Sequence, residues 1–153
     1  MDISENDPNA CDTDADGKMP KEGIFVGTLH GDTYCELYGK ENMLEESDTQ
    51  CNSNIVVIVH GLGGSVAQWE ESDIAPFLAR NRKVVLCFDW YSHGKSTKVN
   101  PNEVAHDVGL FITQLHDVIN HSSLPFRGKH FHLHGFSMGM ACLVLCYIIL
   151  IVS

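Results

Sequence analysis

Positive charge is scarce in this chain: 10 Lys and Arg stand against 20 Asp and Glu over 153 residues, a formal net charge of −10. No basic patch is left to meet a phosphate backbone, so nucleic acid is excluded as an expected partner. The acidity is also uneven. Residues 1–50 hold 13 acidic and 3 basic side chains, whereas residues 51–153 hold 7 of each. The first twenty residues are polar and acidic and have no apolar core, so no signal peptide is read there. Six cysteines (Cys11, Cys35, Cys51, Cys87, Cys142 and Cys146) lack both metal-ligand spacing and the density of a disulfide framework. Cys87 falls in a strand-like apolar run and the last two in a helix-like one, where free thiols behave as small hydrophobes. A reducing, cytoplasmic setting is therefore expected, with no metal and no cofactor. One further absence matters most. After Ser137 the sequence contains no Asp, no Glu and no His.

What is present divides into an acidic tail over 1–20, expected to be disordered, and one domain over 21–153. Asp12-Thr13-Asp14-Ala15-Asp16-Gly17 copies the opening of a calcium loop of the EF-hand type. The glutamate that should close the loop is replaced by Gly23, with Glu22 one place early, and Pro20 interrupts it. A solvated acidic tail is the plainer reading. Ile24–Leu29 and Tyr34–Tyr38 flank His30-Gly31-Asp32-Thr33 and predict a hairpin. Glu41–Ser53 reads as a charged loop. Ile55–Val59 and Val84–Phe88 are unbroken apolar, mostly β-branched runs, as expected of parallel strands covered on both faces.

The first of these runs ends in His60-Gly61-Leu62-Gly63-Gly64-Ser65, leading into a helical stretch through Phe77 and Leu78. The second ends in the loop Asp89-Trp90-Tyr91-Ser92-His93-Gly94-Lys95-Ser96. Asn100 as N-cap, Pro101 at the first helical position and Glu103 in a capping box predict a helix over about 101–120. Its apolar face would be Val104, Val108, Phe111, Leu115 and Val118. A third strand near 130–135 precedes Gly135-Phe136-Ser137-Met138-Gly139, a G-x-S-x-G that opens an apolar helix over Met138–Val152. Strand, sharp turn and helix in that order are the context of a nucleophile elbow. The architecture predicted is α/β, a mostly parallel sheet with flanking helices.

Together the three stretches resemble the α/β-hydrolase fold family, in particular its lipase, esterase and monoacylglycerol-lipase-like branches, over about residues 21–147. The strand ending in His60-Gly61-Leu62-Gly63 matches that family's oxyanion loop. Asp89 through Ser96 matches its D-x-x-G-x-G-x-S turn, with Gly94 in place and Ser92 at the first glycine. Gly135 and Gly139 frame the elbow, and Met140 stands at the glycine that commonly follows it. The resemblance implies Ser137 as nucleophile and the backbone N–H groups of Leu62 and Met138 as oxyanion donors. The substrate implied is a small-molecule ester or related acyl compound. It also implies that His60 bonds loop backbone rather than acting as base, because in this family the acid and the base follow the serine. Asp89 is read as an anchor of its turn, with a catalytic role as the alternative. Relatives that use an aspartate nucleophile are disfavoured by Ser137 itself.

His130, His132 and His134 alternate and would share one strand face, but no carboxylate is placed beside them to complete a metal site. Trp69 reads as packing. The missing acid and base make the chain look like the N-terminal half of a hydrolase, truncated after the elbow helix. The second reading is a non-catalytic product, a truncated gene model or a short isoform kept as a binding fragment or as one associated with a membrane through Tyr147–Val152. Membrane contact is the less favoured of the two, because Met138–Val152 is 15 residues and a span needs about 20.

Overall fold

The computed structural model describes residues 18–45 and 54–152 apart from 125 and 127; the side chains of 44–45 and 146–152 are not described. The calcium-loop-like fragment, the rest of the acidic tail up to residue 17 and the loop 46–53 lie outside those residues. Five strands form one sheet in the order β1-β2-β4-β3-β5. They are β1 (Lys21–Thr28), β2 (Gly31–Tyr38), β3 (Ile55–Val59), β4 (Val84–Phe88) and β5 (His132–Gly135). β1 and β2 pair antiparallel, as do β2 and β4. β3 runs parallel to both β4 and β5. The sheet is therefore mixed, and its three parallel strands are the ones that carry the three motifs.

Period two explains why the apolar runs are continuous. Ile55, Val57 and Val59 of β3 join Val84, Leu86 and Phe88 of β4 in one buried cluster. Val56, Ile58, Val85 and Cys87 point into a second cluster on the other face. The first cluster is closed by α3 (Val108–Asn120) and α4 (Met138–Val152), through Leu110, Phe111, Leu115, Val118 and Cys142. The second is closed by α1 (Ala67–Glu71) and α2 (Ile74–Arg80), through Trp69, Ala75 and Ala79. Helices thus cover both faces. Cys35, Cys87 and Cys142 are free thiols in this interior, and burial pushes the Cys35 and Cys87 thiols well above their ordinary range. They remain protonated and unreactive in the folded chain.

Several boundaries differ from those predicted. The hairpin turn is Leu29-His30, not His30–Thr33, because Gly31 (φ 128°) pairs with Thr28 and β2 starts there. The helical stretch through Leu78 is two short helices, broken where Asp73 takes a left-handed conformation (φ 58°). The long helix begins at Val108, not Pro101. Asn100 and Glu103 do bond each other, but they close an isolated turn, with the Asn100 carbonyl accepting from the N–H groups of Glu103 and Val104. The cap of α3 is Asp107, whose Oδ1 accepts from Leu110 N–H at 3.1 Å. The buried face accordingly shifts to Leu110, Phe111, Gln114, Leu115 and Val118, leaving Val108 partly exposed. β5 pairs only with β3 and so lies at an edge of the sheet among the described residues. No described helix is long and apolar enough to cross a membrane.

Candidate active site

The motif residues meet at the C-terminal ends of β3, β4 and β5. Ser137 lies between β5 and α4 with φ 51°, a left-handed conformation that a side-chain-bearing residue adopts only where the surroundings impose it. Those surroundings are close backbone. A Cβ on Gly139 would sit 2.7 Å from the His60 carbonyl oxygen and 2.8 Å from that of Val59. A Cβ on Gly135 would sit 2.6 Å from the Met140 nitrogen. Only hydrogen at both positions lets the first turn of α4 press against the end of β3. The serine is thereby lifted to the surface, where it is exposed. Met140, at the departure from the family pattern, points into solvent at 57% exposure and so leaves that packing undisturbed.

Gly61 lies directly against this turn: a Cβ there would be 3.0 Å from Ser137 Cβ and 3.2 Å from Phe136 Cδ1. Gly63 takes φ 74° within the same loop. The Gly61 carbonyl accepts from Gly64 N–H at 3.1 Å, closing the loop into a turn. Neither the Leu62 N–H nor the Met138 N–H has a hydrogen-bond partner among the described residues, and neither does Ser137 Oγ. Met138 opens α4, where amides are left unpaired by helix geometry and the helix dipole favours negative charge. The Leu62 and Phe136 side chains are both exposed, at 77% and 61%.

His60 is buried beneath the loop and makes no bond to the serine. Its Nδ1 lies 2.7 Å from the Gly61 carbonyl oxygen, and its Nε2 accepts from Trp90 N–H at 3.1 Å. Burial lowers its pKa, against the opposing pull of the Gly61 carbonyl and the Asp89 charge. Asp89 is also buried. Its Oδ1 accepts from Val66 N–H and its Oδ2 from Lys95 N–H, each at 2.7 Å, so one carboxylate ties the glycine loop to the 89–96 turn. Gly94 (φ 47°) leaves room for that carboxylate, since a Cβ there would collide with it. Ser92, where the family has glycine, nonetheless takes φ 62°; its N–H donates to the Thr97 carbonyl and its Oγ accepts from Val99 N–H.

His132 and His134 are exposed on β5, and the ring of His134 meets that of Trp69 edge-on at 6.2 Å. No group of three His, Cys, Asp or Glu able to hold a metal occurs among the described residues. Sequence reasoning missed Gln114, whose amide accepts from Tyr91 N–H and donates to the Asp89 carbonyl and Thr33 Oγ1, bracing the 89–96 turn from α3. A polar residue on a helix face is commonplace, and nothing in its spacing marks it as buried.

The sequence model of the alpha/beta hydrolase fold matches residues 54–148. The chain belongs to the α/β-hydrolase fold family. None of the curated proteins matches it. Solved α/β structures similar to it include a thioesterase domain from the curacin biosynthetic pathway, at 20% identity and a TM-score of 0.66, covering 85% of this chain and 40% of that one. An esterase from Pyrococcus furiosus is similar at 23% identity and a TM-score of 0.59, over 83% of this chain and 46% of that one. Est1E from Butyrivibrio proteoclasticus, solved with ferulic acid bound, is similar at 18% identity and a TM-score of 0.62, over 82% and 47%. At these identities the likeness is one of fold. The chain spans less than half the length of each of these three α/β hydrolases.

Proposed function

We propose that this chain carries the nucleophile and oxyanion half of a serine hydrolase acting on ester or related acyl bonds. We take the chain to be of the lipase and esterase type, with the monoacylglycerol-lipase-like branch included on the motif resemblance. The observation that carries the reading is Ser137 itself: an exposed serine at φ 51° between strand and helix, packed against Gly61, with the amides of Leu62 and Met138, next in chain to Gly61 and Ser137, left unpaired among the described residues. In that arrangement Ser137 Oγ attacks an acyl carbonyl, the C=O π electrons move onto oxygen, and the resulting oxyanion accepts from Leu62 N–H and Met138 N–H. Such donors act because they are in place before charge develops, and loss of one costs about 3–4 kcal/mol of transition-state stabilisation. Gly61, Gly63, Gly135 and Gly139 shape the turn, while His60, Asp89 and Gly94 hold it. The substrate is a small acyl compound, no cofactor or metal is used, and the setting is cytoplasmic.

The Ser137 proton still needs an acceptor. No histidine is hydrogen-bonded to Ser137 Oγ among the described residues, and an alcohol without a base is a weak nucleophile at neutral pH. The triad acid and base would come from polypeptide outside residues 1–153. Accordingly, the 153-residue chain should label negligibly with a fluorophosphonate and show negligible ester turnover by pH-stat or chromogenic assay. Robust turnover abolished by Ser137→Ala would overturn this, locating a base within the chain. The second reading, a non-catalytic truncated product associated with a membrane through its apolar C-terminus, rests on Tyr147–Val152, whose side chains lie outside those described; the preceding turns of α4 do expose Met140, Val144 and Leu145.

A further inference from the structure

His60 is invisible to the chemistry above, yet every polar atom of its ring is committed. Nε2 faces the Trp90 N–H, which can only donate, so Nε2 must accept. Nδ1 faces the Gly61 carbonyl oxygen, which can only accept, so Nδ1 must carry the proton. One species alone satisfies both neighbours: the neutral imidazole protonated at Nδ1. The backbone of His60 is held too, its carbonyl accepting from Trp90 Nε1–H at 2.8 Å. The ring is therefore a fixed donor aimed at one oxygen.

That oxygen belongs to the Gly61–Leu62 peptide. A trans peptide is planar, with its C=O and N–H pointing in opposite directions. Gripping the Gly61 carbonyl from inside, by His60 Nδ1–H at 2.7 Å and Gly64 N–H at 3.1 Å, therefore turns the Leu62 N–H outward. Gly61, in contact with Ser137, has no side chain to steer its own peptide. We propose that His60 is a positioning residue: as the Nδ1–H tautomer it sets the plane of the Gly61–Leu62 peptide and aims the Leu62 amide at the oxyanion formed on Ser137. This rests on Ser137 being the nucleophile.

The same geometry makes the aim dependent on protonation. A second proton, on Nε2, would set donor against donor at Trp90. Among the described residues, the charged or titratable groups facing the ring are Asp89, whose Oδ1 is 3.7 Å from Nε2, and His93, whose ring centroid is 5.3 Å away. Protonation therefore draws the ring toward Asp89 and loosens the hold on Gly61. Burial works against this step by keeping the neutral form favoured.

The test is nuclear magnetic resonance on the 153-residue chain with phenylboronic acid, whose boron adds to a serine oxygen at equilibrium as the hydroxyl proton passes to the buffer, giving a tetrahedral boronate. The ring nitrogens of His60 should report a proton on Nδ1 at neutral pH, and the Leu62 amide shift should follow the His60 titration on acidification. Boronate should shift both Leu62 and Met138 amides in the unsubstituted chain. His60→Asn keeps a donor near the Nδ1 position and should keep the Leu62 response. His60→Gln reaches only the Nε2 position and should lose that response, with boronate binding weakened about tenfold, one oriented hydrogen bond. The Met138 response should survive in both. An unchanged Leu62 response in folded His60→Gln, or a proton found on Nε2, overturns the positioning role. Silence of both amides in the unsubstituted chain overturns instead the Ser137 reading, and the positioning role falls with it.

Discussion

Asp89→Ala should cost about 3–5 kcal/mol of folding stability, measured by denaturant unfolding. Its carboxylate is buried and accepts two short backbone hydrogen bonds, from Val66 and Lys95 N–H, and hydrogen bonds to a charged group contribute roughly 1.5–3 kcal/mol each. Truncation also strands both donors away from water. Asp89→Asn should be intermediate, because its amide nitrogen can accept from neither neighbour. Gly94→Ala should be damaging for the same reason seen from the other side, as the new methyl would displace the carboxylate. In an Asp89→Ala background that collision disappears, leaving only the left-handed backbone strain of about 1–2 kcal/mol. The double-mutant cycle should therefore give a coupling above about 1 kcal/mol. Additive losses, or an Asp89→Ala cost below about 1 kcal/mol, would contradict this account of the turn.

The second large effect is expected at Glu36, far from the serine. Its buried carboxylate on β2 accepts from Tyr34 OH at 3.1 Å, from Tyr38 OH at 3.0 Å and from Lys21 Nζ at 3.1 Å. Lys21 also reaches Glu70 of α1 at 2.6 Å, tying strand β1 to the helical layer. The spacing i−2, i, i+2 puts both tyrosines on the same sheet face as the glutamate. Burial, with the Glu36 charge adding to it, pushes the Tyr38 phenol up, so it stays a donor at any working pH. Glu36→Ala should cost about 3 kcal/mol, the lower end of the loss on breaking a buried charged pair, because half-exposed Lys21 retains Glu70 and water. In a domain of this size that lowers Tm by roughly 6–12 °C. Glu36→Gln, which keeps one acceptor and leaves the hydroxyls free to rotate, should cost about half as much. Equal losses for the two variants would mean that shape rather than charge sets the cost.

The two central strands were legible because burial on both faces leaves an unbroken apolar run, and Ile55–Val59 and Val84–Phe88 have bounds that match it. The start of α3 was not. Asn100-Pro101-x-Glu103 is a sound helix start by local chemistry, and it does nucleate a turn, but Asp107 caps the helix that packs. Local signals rank equally in a sequence; tertiary packing of Leu110 and Phe111 chooses between them. The break at Asp73 was hidden likewise, since a left-handed aspartate carries no mark in its neighbours. At the site, the residues that touch one another through backbone, Gly61, Gly135, Gly139 and Ser137, stood out as glycine spacing. Those that act through side chains from elsewhere, Gln114 above all, did not.

The central claim is that Ser137, Leu62 and Met138 already form the nucleophile and oxyanion site without any further polypeptide. The most direct measurement is the boronate titration followed at every backbone amide of the unsubstituted chain and of Ser137→Ala. The account predicts parallel, saturable downfield shifts at Leu62 and Met138 in the former and neither shift in the latter. Shifts at only one of these amides, or shifts that persist in Ser137→Ala, would contradict it.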